Sequence, residues 1–335
     1  DKKQFPNVVA RIKGQNNFWG NNTNNMNFDA IVGNPPYQVM DGGGTGSSAV
    51  PVYQHFVELA KSACPNYTTL IMPSRWMTGG KGLDKFRTNM ISDHQIQIIH
   101  DFIDGSQIFS SVLIEGGICY ILWQNKYNGP CRFISHLANS TTISSSRYLD
   151  EDDCDVIIRD SRVISIIKKV NTKDNSFANL VSSRNPFNIG NEDEIISKTP
   201  SNRMLFGRFD NERGIRFLPE NFNPSKGCDF IGVWKIFMSK ADGAAGMLGN
   251  PIPAKIIGNP ELGNPQTICS ETFLATGPFD SDVEANNVIK YTKTKFFRIL
   301  VGAIKLKNMT SSTYKFVPLQ DFTAESDIDW SRSVA

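Results

Sequence analysis

The tetrapeptide Asn34-Pro35-Pro36-Tyr37 combines residue types that can hold a planar amino group. It directly follows residues 28–33, an apolar run ending in glycine, which predicts a buried strand entering a tight loop. The two prolines stiffen that loop, because each fixes a φ angle. The Asn34 side-chain oxygen and the Pro35 carbonyl oxygen can each accept one amino hydrogen, and the Tyr37 ring can stack on the flat group carrying the nitrogen. The set predicts attack of an amino nitrogen on an electrophilic methyl group, driven by positioning and electrostatics.

The run from Phe28 to Tyr37 resembles the catalytic motif of S-adenosylmethionine-dependent amino-methyltransferases, above all DNA N6-adenine methyltransferases. The elements expected after it resemble the Eco57I-like restriction-modification methylases. They are strands over 68–76, 96–102 and 112–123 and a helix over 83–91. The resemblance implies an α/β fold, in which these strands form the second half of a Rossmann-like methyltransferase sheet. Residues 291–298 and 314–318 resemble the target-recognition part of the same enzymes, so the resemblance covers nearly the whole chain.

This resemblance implies a function for the chain and a second aromatic residue in its site. The function is methylation of adenine N6 in double-stranded DNA within a bacterial restriction-modification system, with S-adenosylmethionine as the methyl donor. A base modified inside a duplex must first be flipped out, and the resemblance places Phe109 on the face of that base opposite Tyr37. An ordinary core position at the entry to a strand is the alternative for Phe109.

Composition allows two domains and excludes several classes of protein. The chain has 335 residues, of which 40% are hydrophobic and 20% charged, as in globular proteins. No segment approaches the ~20 apolar residues of a membrane span, and the polar start has no signal-peptide core. Neither the six cysteines nor the four histidines show a ligand spacing. We therefore expect a cytoplasmic protein without a membrane segment or a metal site.

The cofactor half that the resemblance implies is not evident in the sequence. Only 33 residues precede Asn34, and they contain no Gly-rich turn after a strand. The stretch Asp41–Gly46 is Gly-rich, but it follows no buried strand and is interpreted as a mobile loop beside the substrate. We therefore expect a fragment whose S-adenosylmethionine site lies mostly outside this chain and which is inactive by itself. Nuclease or helicase domains of the same polypeptide are possible further partners.

Changes in amino-acid composition along the sequence predict three parts of the chain. Residues 1–135 form the catalytic half-domain, and residues 136–170 form a linker, exposed over 139–155, and a helix. Residues 171–330, dense in Gly, Asn and Pro turns, form a turn-rich α+β target-recognition domain.

Basic residues predict where DNA phosphates are contacted. A capping box begins a helix at Ser281 that is expected to continue to about Lys307. The candidates for phosphate contacts are Arg75, Lys293, Lys295, Arg298 and Lys305. A solvated helix face is the alternative for the lysines.

Two other functions remain open. Asn-Pro-Pro-Tyr also serves enzymes that methylate protein glutamine or RNA bases, although a turn-rich domain after the sheet favours DNA. The chain alone could also be a DNA-recognition module that catalyses nothing.

Overall fold

The computed structural model describes residues 28–39, 50–63, 65–80, 82–112, 114, 116–137, 140–150, 154–170, 175–190, 196–197, 199–241, 256–305 and 308–332. The predictions for residues 1–27 and for Asp41–Gly46 lie outside these residues. The chain is mixed α/β and divides into two units. Among the described residues, the first unit ends at Ser161 and the second begins at Arg162.

A six-stranded mixed sheet is the centre of the first unit. Its strands and a separate two-stranded ribbon are β1 (Ala30–Gly33), β2 (Gln38–Val39), β3 (Val50–Pro51), β4 (Tyr67–Pro73), β5 (Ile96–Phe102), β6 (Ile118–Gln124), β7 (Cys131–His136) and β8 (Thr142–Arg147). The sheet order is β1-β4-β6-β5-β7-β8, and β2 pairs only with β3. The pairs β1–β4 and β5–β7 are parallel, whereas the other neighbours in the sheet are antiparallel.

Two helices cover one face of this sheet: α1 (Tyr53–Ser62) and α2 (Asp84–Ile91). Their buried side chains include Val57 of α1 and Phe86 of α2, which belong to the same core cluster as Met72 of β4 and Ile121 of β6. The alternation of buried and half-buried residues along β4 and β6 produces this arrangement, because successive side chains of a strand point to opposite faces. The predicted helix over 83–91 is confirmed.

Two details differ from the sequence-based expectation. Strand β6 begins at Ile118 rather than at residue 112. Part of the segment expected to be exposed linker forms the edge strand β8, paired with β7. Five of the six residues of β8 are polar and only Arg147 is buried, so no apolar alternation marks this strand in the sequence.

The described part of the second unit contains short strands and three helices. Its elements are α3 (Ile164–Val170), β9 (Met204–Phe209), β10 (Glu212–Phe217), β11 (Trp234–Ser239), β12 (Glu261–Gly263), β13 (Thr267–Cys269), β14 (Phe273–Phe279), α4 (Asp282–Lys293) and α5 (Lys295–Gly302). The strands form two three-stranded sheets, in the orders β10-β9-β13 and β12-β11-β14. Asp210 and Asn211, both with positive φ, join β9 to β10, a conformation that suits the turn of a hairpin.

The single helix expected from Ser281 to about Lys307 is wrong. Two helices occur instead, because Thr294 has extended backbone angles. The Thr294 hydroxyl accepts a hydrogen bond from the Phe297 amide at 3.0 Å and so begins α5. The predicted cap at Ser281 is confirmed, since its side chain accepts from the Glu284 amide at 3.2 Å.

Candidate active site

The strand ends of the first unit place the sequence-predicted site residues at one edge of the sheet. Pro73 at the end of β4 and Phe102 at the end of β5 both pair with Ile118, the first residue of β6. Strand β1 is parallel to β4, so Asn34 leaves the sheet at this same edge. Loops at the carboxyl ends of parallel strands commonly carry ligand sites.

The backbone fixes the Asn34–Tyr37 loop at both ends. Strand β1 hydrogen-bonds to β4 directly before Asn34. At the other end the Tyr37 carbonyl accepts from the Val52 amide at 3.1 Å. Pro35 is buried, whereas Asn34 is exposed. The loop therefore presents the Asn34 amide outward from a stiff base, as positioning of an amino group requires.

Tyr37 lies with its hydroxyl directed inward. The residue is half-buried, and its hydroxyl oxygen is buried without a hydrogen-bond partner among the described residues. Burial, and secondarily the charge of the Cys119 thiolate, raise the pKa of Tyr37 to about 12. The hydroxyl is therefore neutral at physiological pH, and Tyr37 offers a neutral aromatic surface rather than a base.

Arg75 and Phe109 lie in the loops that leave the same edge. Arg75 is exposed in a single 3₁₀ turn, Ser74–Met77, directly after β4. Phe109 is half-buried and lies in the segment that connects β5 to β6. Its amide donates to the Gly105 carbonyl at 2.9 Å. Its partial exposure is compatible with a stacking surface, and its role remains a prediction.

A buried charged network beneath these loops was not foreseen. The Asp101 carboxylate accepts from Arg159 Nε at 2.6 Å and from Arg159 Nη2 at 2.7 Å. It also accepts from the Ser74 hydroxyl at 2.6 Å. Asp101 and Ser74 are wholly buried and Arg159 is 4% exposed. The signal in the sequence was an acidic residue, Asp101, within the predicted strand 96–102.

The same network fixes the loop between β5 and β6. Arg159 Nη1 donates to the Gly116 carbonyl at 2.8 Å, and the Ser74 amide donates to the Gly117 carbonyl at 3.0 Å. Gly117 has φ +85°, and a Cβ there would lie 2.2 Å from the Phe102 carbonyl oxygen. Glycine is therefore required at this position. The loops carrying Arg75 and Phe109 thus depend on one buried carboxylate.

The described part of the chain shows no metal centre and no membrane span. Among these residues, no three His, Cys, Asp or Glu side chains are placed to hold a metal ion. None of the helices in the described ranges is both long and apolar enough to cross a bilayer.

The predicted phosphate contacts in the second unit differ in accessibility. Lys293 and Lys295 are exposed, and Arg298 is half-buried. Lys305 is 3% exposed, and its ammonium donates to the Ile256 carbonyl. The prediction that Lys305 contacts DNA is therefore corrected, because its charge is satisfied inside the protein.

Comparison with known proteins supports the family resemblance over the first part of the chain. Residues 1–109 match the family model of the Eco57I restriction-modification methylase. A curated "uncharacterized adenine-specific methylase" of Mycoplasma pneumoniae (strain ATCC 29342 / M129 / Subtype 1) is 36% identical over 136 residues. That match covers 39% of this chain and 32% of the relative. The chain therefore spans about a third of the length of this relative, and the predicted resemblance is confirmed for the segment that carries Asn-Pro-Pro-Tyr.

Solved structures show weaker likeness. The type IIL restriction-modification enzyme MmeI in complex with DNA has a TM-score of 0.49 and 10% identity, over 84% of this chain and 45% of that one. The type IIG restriction endonuclease BpuSI has a TM-score of 0.34 and 12% identity, over 94% of this chain and 44% of that one. Likeness at this level does not establish a shared fold.

Proposed function

We propose that this chain carries the amino-group site of a DNA adenine-N6 methyltransferase, followed by the domain that recognises its target. The observation that supports this most is the Asn34–Tyr37 loop, since Asn34 is exposed at a strand end and Tyr37 is half-buried with its hydroxyl inward. The adenine specificity in the name of the Mycoplasma pneumoniae relative favours adenine over glutamine as the substrate.

The residues act by holding the amino nitrogen. The Asn34 side-chain oxygen and the Pro35 carbonyl oxygen accept its two hydrogens, so its lone pair becomes available to the incoming methyl group. The Tyr37 ring stacks on one face of the flipped base, and Phe109 stacks on the other. Their geometry is set before the substrate arrives, because the loops they occupy are tied to the sheet.

S-adenosylmethionine supplies the electrophilic methyl group in the family that this chain resembles. The described strand ends do not form a complete site for it. The loop after β1 is Pro-rich, β4 is followed by a 3₁₀ turn, and the Asp104 carboxylate after β5 accepts from the Ser106 amide at 2.9 Å. We therefore propose that the cofactor is held mainly by other parts of the intact polypeptide.

Substitution of Asn34 tests this function. In the intact polypeptide, Asn34→Ala should lower the turnover of adenine methylation by about 100- to 1,000-fold, as is typical for loss of one preorganised polar group. Duplex affinity should not change, since the lost interaction serves the chemical step. The conservative variant Asn34→Asp keeps the acceptor and should retain more turnover. Near-normal turnover in Asn34→Ala would refute the assignment.

A further inference from the structure

Tyr53 is the first residue of α1 and lies deep in the core of the first unit. The residue is 2% exposed and belongs to the same core cluster as Trp76 and Met72. Its ring meets the Phe86 ring edge-on, with 6.1 Å between the centroids and 83° between the planes. The Phe86 ring in turn meets the Trp76 ring edge-on at 5.6 Å. These contacts fix the position of the Tyr53 ring, since edge-to-face pairs at this spacing are favourable.

The backbone brings Tyr53 close to the Asn34–Tyr37 loop. In the ribbon that follows this loop, Gln38 of β2 pairs with Pro51 of β3 in antiparallel register. The next pair along the ribbon is Tyr37 and Val52, where the Val52 amide donates to the Tyr37 carbonyl at 3.1 Å. Tyr53 directly follows Val52, so the first turn of α1 is attached to the backbone of Tyr37.

The side chains of Tyr37 and Tyr53 converge on one point of the sheet. Both hydroxyl oxygens are buried. Burial raises the pKa of both hydroxyls, and the charge of the Cys119 thiolate raises it further, so both lie near this one thiol. Cys119 is wholly buried in β6, where it pairs with Met72 of β4 and Asp101 of β5. The two tyrosines therefore approach the same place, one from the loop and one from α1.

Within the described chain, packing rather than hydrogen bonding holds the Tyr37 side chain. The Tyr37 hydroxyl has no hydrogen-bond partner among the described residues, so no directional contact there fixes the ring. A side chain on a fixed backbone can still change its rotamer unless neighbouring atoms fill the space beside it. Tyr53 is a large side chain beside Cys119 whose own position is fixed, so it can supply that contact.

We propose that Tyr53 is a positioning residue for the methylation site: it fills the space beside the buried end of Tyr37 and so holds the Tyr37 ring at the angle needed to stack on the flipped base. Tyr53 acts through Tyr37, since it is itself buried and does not face a substrate that enters from solvent. The inference rests on the proposed function, because it assumes that Tyr37 stacks on the target adenine.

Shortening the Tyr53 side chain tests the proposal through turnover. In the intact polypeptide, Tyr53→Ala should lower the turnover of adenine methylation by about 10- to 100-fold, because small misplacements of a positioned group are costly. Duplex affinity should not change, and Tyr53→Phe keeps the ring and should retain turnover. The matched control is Val57→Ala, one helical turn further along the same buried face of α1. It also shortens a core side chain, but it should retain turnover because it lies farther from the loop.

A second measurement reports on stacking itself. The probe is 2-aminopurine at the target position of the duplex, whose fluorescence is quenched when neighbouring rings stack on it. Bound to Tyr53→Ala, the probe should be brighter than with the unsubstituted polypeptide and as bright as with Tyr37→Ala. With Tyr53→Phe and Val57→Ala, it should stay at the level of the unsubstituted polypeptide. A role of Tyr53 in stability alone would not separate Tyr53→Ala from Val57→Ala.

The outcomes separate this proposal from the proposed function. Near-normal turnover or unchanged fluorescence with Tyr53→Ala would overturn the proposal, as would loss of turnover with Tyr53→Phe. Equal losses with Val57→Ala would also overturn it, because they would reflect general destabilisation of the first unit. Full turnover in Tyr37→Ala, or a probe that stays as dim with the unsubstituted polypeptide as in the free duplex, would contradict the proposed function itself. Circular dichroism establishes that each variant is folded, and if Tyr53→Ala does not fold, Tyr53→Leu takes its place with the same expected results.

Discussion

Arg159 forms two hydrogen bonds to the carboxylate of Asp101, which lies 58 positions earlier in the chain. Both side chains are almost wholly buried, so the pair is removed from water and each charge depends on the other. Asp101 Oδ2 accepts from Arg159 Nε, and Oδ1 accepts from both Arg159 Nη2 and the Ser74 hydroxyl. This satisfied network connects the loop after β4 with the loop before β6, which are the two loops that carry Arg75 and Phe109.

Removal of one charge from this pair should therefore be costly. Asp101→Asn leaves the Arg159 guanidinium buried without an anion and should lower the free energy of unfolding by about 3–5 kcal/mol. Ser74→Ala removes a single hydrogen bond to the same carboxylate and should cost only about 1–3 kcal/mol. Urea denaturation of both variants measures the difference. Equal, small losses would show that the pair does not stabilise this unit.

The exposed lysines beside the α4–α5 junction should contribute to the salt dependence of DNA binding. Replacing Lys293 and Lys295 together by Gln should reduce the slope of log affinity against log salt by about two, near 0.9 per phosphate contact. Lys305→Gln is the internal comparison, because its ammonium is buried and bonded to Ile256. It should leave the slope unchanged and lower stability instead. A slope that responds to Lys305 alone would contradict both expectations.

The sequence predicted local features well and long-range ones poorly. The Asn34–Tyr37 loop could be singled out in the sequence because its four residues are consecutive, and its chemical role stays a prediction. The contact between Asp101 and Arg159 was not, since it joins distant segments and neither residue belongs to a motif. Lys305 was misassigned because the spacing of lysines does not reveal which of them the second unit buries.

Tyr37 should act through its ring and not through its hydroxyl. The raised pKa keeps the hydroxyl protonated up to pH about 12, and it has no hydrogen-bond partner among the described residues. In the intact polypeptide, Tyr37→Phe should retain adenine methylation, whereas Tyr37→Ala should lose it with the stacking surface. Methylation rates of a cognate duplex decide between the two roles. Loss of activity in Tyr37→Phe would assign the chemistry to the hydroxyl.

The raised pKa of Tyr37 also predicts that the free energy of unfolding changes at alkaline pH. An unfolded tyrosine ionises near pH ~10, but folded Tyr37 resists ionisation to about 12. Its contribution is therefore fully present below pH ~10 and is lost as the pH rises from there toward 12. Unfolding free energies of the unsubstituted chain and of Tyr37→Phe should be measured over this range. The value for the unsubstituted chain minus that for the variant should fall as the pH rises.

Lys235 should make the stability of the second unit depend on pH in the opposite direction. It is wholly buried, and its ammonium donates to the Asn264 carbonyl at 3.0 Å and to the Thr267 carbonyl at 2.9 Å. Burial lowers the pKa of Lys235 to about 8, whereas an unfolded lysine titrates near ~10.4. Between these values the folded chain has released a proton that the unfolded chain still holds, so the contribution of Lys235 to the unfolding free energy rises with pH.

Replacement by methionine isolates this effect from the other titrating groups. Lys235→Met removes the titration and keeps an unbranched side chain, so the unfolding free energy of the unsubstituted chain minus that of the variant should increase from pH about 8 to pH ~10. Lys226→Met, at an exposed lysine of the same unit, is the matched control and should give a difference that stays flat over this range. Urea denaturation at several pH values measures both differences. A flat difference for Lys235→Met as well would mean that this ammonium keeps an ordinary pKa, and that its two carbonyl partners compensate for its burial.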